Sequence, residues 1–203
     1  MIDVKIIKRC QKAVDKINKP INKDDTETTR AKLFEAAAYI DRDSYLASSF
    51  LAFKFYQSDY AKDVKQMPDN IGKLMINFFE ANTEIQVEIP AMEFYKYMDV
   101  MAKVAETVVC EIKKDEIVVT PHTFKSTTGA ECLLYFAYRY DFGFEFDFAA
   151  NPQFIKDALT PAYASKQEKV LMKLGASKYR AICFEGIGFE SLFMPKRIHD
   201  NKK

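Results

Sequence analysis

The chain has 203 residues, 48% hydrophobic and 29% charged, which excludes an extended disordered chain and gives enough length for a core that needs no staples. Thirty Lys and Arg stand against 29 Asp and Glu, a formal charge of +1. That balance excludes a globally basic nucleic-acid binder but leaves room for a locally basic face.

Residues 3–18 predict a helix. At about 100° per residue Val4, Ile7, Cys10, Val14 and Ile17 share one face. Lys5, Lys8, Arg9, Lys12 and Lys16 fall within an arc of roughly 100° on the opposite face. Pro20 ends the helix, and residues 19–30 are polar enough for a loop. Residues 31–57 read two ways. AKLFEAAAYI has the alanine content of a helix, while YLASSFLAFKFYQ alternates as a strand. Strands are the expectation, with a turn at Asp41, Arg42, Asp43 and Ser44. Residues 68–81 predict a second helix, opened by Pro68 and carrying Ile71, Leu74, Met75 and Phe78 at helical spacing.

The second half is patterned more sharply. Residues 84–89 alternate as a short strand. A helix follows over roughly 91–105, with Phe94, Tyr97, Met98, Met101 and Val104 on one face. TVVCEIKKDEIVVTP predicts a hairpin turning at KKDE. ECLLYFAYRY and FGFEFDFAA predict two more strands, the latter burying Phe142, Phe144, Phe146 and Phe148 on one face. NPQFIKDAL predicts a short helix capped by Asn151, with Pro152 in its first turn. Three strands close the chain: QEKVLMKL, KYRAICFEG and GFESLFMPKRI. The abundance of Phe and Tyr, 17 and 11, agrees with a strand-rich fold. The expected class is α+β in two units: residues 1–84, residues 85–198, and a disordered tail over 199–203.

Chemistry is sparse. No apolar run approaches the ~18 residues a membrane helix needs. Met1–Lys16 is charged throughout and predicts no signal peptide. Cys10, Cys110, Cys132 and Cys183 are scattered, so neither a zinc site nor a disulfide framework is expected, and the expected compartment is the reducing cytoplasm. His122 reads as a solvent-facing residue of a strand end or turn, and His199 lies in the tail. Asp24, Asp25 and Glu27 read as a solvated loop rather than a metal site. No Walker loop, GxGxxG or catalytic grouping is present. No enzyme, cofactor or metal is expected. The basic face of the first helix is the feature with the clearest functional reading. Lysines on one helix face offer charges to a polyanion without reading bases. Lys73, Lys96, Lys103 and Lys156 put at least one more lysine on each other predicted helix.

The motifs of the second half resemble those of one family. FEFDFAANPQFIKDAL, three strands and a closing FMPKRI resemble the last domain of bacterial DNA sliding clamps, the beta subunit of DNA polymerase III. IPAMEFYKYMDVMAKV and CEIKKDEIVVT resemble that domain's first helix and hairpin. Earlier, MPDNIGKLM resembles the entry to a clamp's second helix. AYIDRDSYLA faintly resembles the clamp T-D-G-H-R-L-A turn, lacking its Thr, Gly and His. The resemblance implies a DNA clamp fold of two domains, each with two helices packed on antiparallel sheet. It implies a processivity factor that encircles duplex DNA and tethers a polymerase, with a clamp loader as a further partner. Two domains per chain imply a homotrimeric ring of six, in a bacterial or phage-infected cytoplasm. Lys5, Lys8, Arg9, Lys12, Lys16, Lys73, Lys96, Lys103 and Lys156 would then face DNA. A peptide pocket would gather Tyr45, Leu46, Leu192, Phe193, Met194, Pro195 and Ile198, with Lys196 replacing an apolar family residue. The rival reading is a monomeric clamp-fold adaptor that binds peptides without encircling DNA.

Overall fold

The computed structural model describes residues 2–18, 36–62, 76–77, 79–80, 85–125 and 136–198. Lys73, the acidic run at 24–27, most of the helix predicted over 68–81, Cys132 and the tail lie outside the described residues. Of that predicted helix, Ile76, Asn77, Phe79 and Glu80 are helical.

The first helix, α1 (Val4–Asn18), starts where Asp3 caps it. The Asp3 side chain accepts from the Lys5 amide at 2.7 Å, and its carbonyl accepts from the Ile6 and Ile7 amides. Its buried face is Ile6, Ile7, Cys10 and Val14. Val4, predicted on that face, is 51% exposed, whereas Ile2 and Ile6 are buried.

Three strands follow: β1 (Ala36–Ile40), β2 (Asp43–Ala47) and β3 (Leu51–Phe55). Asp41 and Arg42 both sit at positive φ, 51° and 70°, the two-residue turn whose twist matches antiparallel strands. The single strand expected from Tyr45 onward is broken at Ser48. That hydroxyl accepts from the amides of Phe50 and Leu51, and this local turn outcompetes the ladder.

The second half runs β4 (Ile85–Pro90), α2 (Ala91–Val104), β5 (Ala105–Ile112), β6 (Glu116–Phe124), β7 (Phe136–Arg139), β8 (Phe146–Ala150), α3 (Pro152–Ala164), β9 (Lys169–Leu174), β10 (Ile182–Gly186) and β11 (Phe189–Phe193). The hairpin predicted at KKDE is the β5–β6 pair. The strand predicted from Phe142 begins only at Phe146. Phe142 and Phe148 are buried, but Phe144 and Phe146 are partly exposed. The helix predicted to stop at Leu159 continues through a buried Pro161 to Ala164. Packing of Pro161 and Ala162 offsets the lost backbone bond, and the Ser165 hydroxyl bonds the Pro161 carbonyl at 2.6 Å. In the β10–β11 turn Gly188 has φ of 84°, and a Cβ there would meet Ile2 at 3.2 Å.

Among the described residues the strands form two antiparallel sheets, one of seven strands in the order β1-β2-β3-β11-β10-β9-β4 and the other of four in the order β7-β6-β5-β8. Because β3 pairs with β11, the larger sheet crosses residue 84 without a break. The main core crosses it too, joining Ile7, Cys10 and Val14 to Phe53, Phe55, Phe94, Met98 and Phe193. The helices lie side by side on the sheets, with α3 between α1 and α2. The α+β class and the helix-on-antiparallel-sheet architecture are as the sequence predicts.

Candidate nucleic-acid and peptide surfaces

Lys5, Lys8, Arg9, Lys12 and Lys16 are all exposed on α1. Among the described residues none of them is in an ion pair. The only acids beside them on that helix and its cap are Asp3 and Asp15, and Asp15 accepts from Gln11 at 2.7 Å. The other predicted cations sit differently. Lys96 is exposed on α2. Lys103 of α2 and Lys156 of α3 share one carboxylate, Asp99, at 3.1 and 3.2 Å. Hydrogen bonds from Lys103 and Lys156 hold the Asp99 carboxyl below the usual range. The structure therefore concentrates unpaired positive charge on α1 and spends two of the other cations on the α2–α3 seam.

Strand periodicity divides the predicted pocket residues. Successive residues on a strand point to opposite faces. Leu46 and Phe193 point toward the helices and are fully buried in the main core. Phe193 packs on Phe148 and Phe184 at 6.1 and 5.6 Å between ring centroids. They are core residues and line no surface pocket. Tyr45, Leu192 and Met194 point the other way and meet in a second apolar cluster on the outer face of the large sheet, where Tyr45 and Leu192 are buried as well and Met194 stays partly exposed. Pro195 and Ile198 are half-buried in the segment after β11, beyond that cluster.

The cluster contains residues the sequence reading missed. Ala38, Ala47, Ala52, Ala181 and Cys183 form a floor of small side chains beneath Tyr45, Leu192 and Phe79, with Ile40, Ile76 and Met194 packed at its margin. Phe79 meets Tyr45 edge-on at 6.1 Å. In the sequence Ala38 is one of three consecutive alanines, 36–38, so no alternation marks it out, while Ala47 and Ala52 face each other across β2 and β3.

Beside this floor the same face turns charged. Lys173 bridges Glu185 and Glu190 at 2.5 and 2.9 Å, and burial of its ammonium is outweighed by those two carboxylates, which hold it above its usual pKa. Lys54 pairs with Asp43 at 3.6 Å and lies over the rings of Tyr45 and Tyr56 at 5.7 and 5.0 Å. Burial and the adjacent Glu190 push the Tyr56 hydroxyl up. Cys10, Cys110 and Cys183 are buried, and that burial pushes their thiols up, away from the reactive thiolate form. Among the described residues no group of His, Cys, Asp and Glu could hold a metal ion, and no helix is long and apolar enough to cross a membrane. His122 is an exposed residue of β6.

No protein-family model matches the chain. No curated protein matches it by sequence. Solved structures do. The Helicobacter pylori beta clamp, in a complex with 3,4-difluorobenzamide, matches 97% of this chain with a TM-score of 0.63 and 9% identity. Caulobacter crescentus pol III beta matches 95% with a TM-score of 0.59 and 11% identity. A further Caulobacter crescentus DNA polymerase sliding clamp structure matches 97%, again at 0.59 and 11%. The matches cover 64–65% of those chains, so this chain spans just under two thirds of their length. At these identities the likeness is one of fold. The chain has the fold of the bacterial DNA polymerase III beta sliding clamps.

Proposed function

We propose that this protein is a DNA sliding clamp: a non-catalytic cytoplasmic processivity factor that surrounds duplex DNA and tethers a polymerase through its outer apolar cluster. The observation that carries the reading is the α1 face, where five exposed cations stand without acidic partners among the described residues. Point charges on one helix face suit loose, sequence-independent contact with phosphates, which permits sliding. Met194, partly exposed at the margin of the buried Tyr45–Leu192 cluster, suits an apolar peptide contact, and a thioether adapts to varied partners. The division into residues 1–84 and 85–198, the clamp loader as partner and a ring of three copies belong to the same proposal.

A second reading, a monomeric adaptor of clamp fold, is favoured by one observation. Residues 1–84 are fewer than residues 85–198, and a shorter half offers less surface for a ring seam.

Two measurements test these readings. Light scattering across a concentration series should give about 70 kDa, three times the 23.4 kDa chain, if the ring closes unaided. Binding to duplex DNA should fall with salt at a log–log slope of about −4, near the value for five phosphate contacts. Retention on closed circular DNA with loss on linearisation would establish encirclement. A monomer indifferent to DNA of either form overturns the clamp and leaves the adaptor.

A further inference from the structure

A groove lies against the closing segment, residues 194–198. It holds about 210 Å³. Its floor is Val109 of β5 and Ala149 of β8, on the face of the four-stranded sheet turned away from the helices, with Ile198 closing one side. Val108, Cys110 and Ile112, the alternate positions of β5, face the main core instead. The rim is cationic. Lys196 is fixed there, its amide donating to the Ala149 carbonyl at 2.7 Å and its ammonium to the buried Thr107 hydroxyl at 2.8 Å. Tyr179, 46% exposed, carries the Lys178 ammonium 5.9 Å from its ring centre and the Arg197 guanidinium at 5.4 Å. The acid in the lining is Asp147, paired with Lys178 at 2.9 Å. Among the described residues three cations therefore stand against one carboxylate around an apolar floor.

The groove adjoins the outer apolar cluster. Met194 packs against that cluster, and Lys196, two residues on, lines this groove. Two residues of chain span at most about 7 Å, so one short peptide can reach both. We propose that this groove binds carboxylate side chains of a protein partner whose apolar anchor packs on Met194, at the partly exposed margin of the buried Tyr45–Leu192 cluster, so that the chain selects acidic peptides. The inference rests on the peptide-binding part of the proposed function and adds the chemistry of the partner. An acidic peptide fits better than a nucleic acid here. The apolar floor suits the stem of a side chain, and the groove opens away from the helix layer that carries the α1 cations.

The test uses the full chain and three fluorescein-labelled peptides, read by anisotropy. Each has a Leu-Phe anchor flanked on both sides by Asp-Asp, Ser-Ser or Lys-Lys. The Asp peptide should bind about three- to tenfold more tightly than the Lys peptide, the scale of a few partly exposed charge pairs, with the Ser peptide between. Lys178→Glu with Arg197→Glu should reverse that order. Lys178→Gln with Arg197→Gln, which removes charge without adding repulsion, should flatten it. Met194→Ala should weaken all three peptides alike. Far-UV circular dichroism checks that each variant is folded. Equal binding of the Asp and Lys peptides, or a preference that survives both double substitutions, overturns the charge selection and leaves the apolar anchor standing. Binding of none of the peptides overturns the peptide-binding reading along with it. If the double substitutions instead weaken binding of a 20-base-pair duplex and leave the peptides unchanged, the groove is a nucleic-acid surface and the inference is wrong.

Discussion

The outward face of α1 and the seam between α2 and α3 use the same residue types to opposite ends. On α1 five cations project into solvent with no acid paired to them among the described residues. At the seam Lys103 and Lys156 converge on Asp99, one from each helix. The Lys156–Asp99 pair joins the two helices and the Lys103–Asp99 pair lies within α2, so both charges are partly neutralised before a ligand arrives. A count of lysines per helix therefore misjudges a surface, because what a polyanion feels is charge that the protein has not already neutralised.

The sharpest way to break this contrast is charge reversal. Lys8→Glu, Lys12→Glu and Lys16→Glu together should weaken binding to duplex DNA by about two orders of magnitude at low salt and flatten the salt slope by about one per lysine removed. Lys96→Glu with Lys103→Glu, on α2, should cost only about threefold, since one of that pair is already neutralised. Titration of labelled duplex at several salt concentrations reads both. Equal losses from the two sets would mean that charge is shared across the whole helix layer and that α1 has no special part.

A milder test releases the seam. Asp99→Ala frees Lys103 and Lys156, so DNA affinity should rise about two- to threefold while stability falls by less than about 1 kcal/mol, the scale of an exposed pair. The same pair should also show in acid. Because its two lysine partners hold the Asp99 carboxyl low, its contribution is present above the ordinary carboxylate range and is lost as pH falls through the lowered value. A variant with unchanged DNA affinity would show that these two cations do not face the DNA at all.

How much of this was legible in the sequence follows from which physical rule each feature obeys. The cationic stripe of α1, the β5–β6 hairpin and the Asn151 cap are local, and a local pattern states them outright. The Asn151 side chain does accept from the Gln153 amide, at 2.9 Å. The pocket needed one more local rule than a run of neighbouring residues supplies. Leu192 and Phe193 are adjacent in sequence, so on a strand only one can face outward. Which one does is set by pairing, and Leu192 lies opposite Ala52 while Ser191, on Phe193's face, bonds the Ala158 carbonyl of α3 at 2.6 Å. The extension of α3 through Pro161 and the neutralisation of Lys103 and Lys156 are tertiary. Asp99 lies 57 residues from Lys156, and no window of sequence relates them.

The smallest expected effect lies where α1 meets α3. Asp157 faces Cys10 of α1 and is flanked by Lys16 and Lys156; burial raises its carboxyl, while a hydrogen bond from Gln153 at 2.8 Å and the two lysines pull the other way without cancelling it. A carboxyl whose folded pKa exceeds its unfolded value binds more protons in the native state, so stability falls as pH rises from the ordinary Asp value of about 3.9 through the raised one. Asp157→Asn removes the charge and keeps the oxygen that Gln153 bonds. Urea denaturation should therefore give the variant a midpoint a few tenths molar higher than the wild type at pH 7. The two curves should converge as pH falls below the raised value and the wild-type carboxyl takes up its proton. A variant less stable at pH 7 would mean that the nearby Lys16 outweighs burial. The α1–α3 contact would then depend on that ion pair, and Lys16 would no longer belong with the unpaired cations of the α1 face.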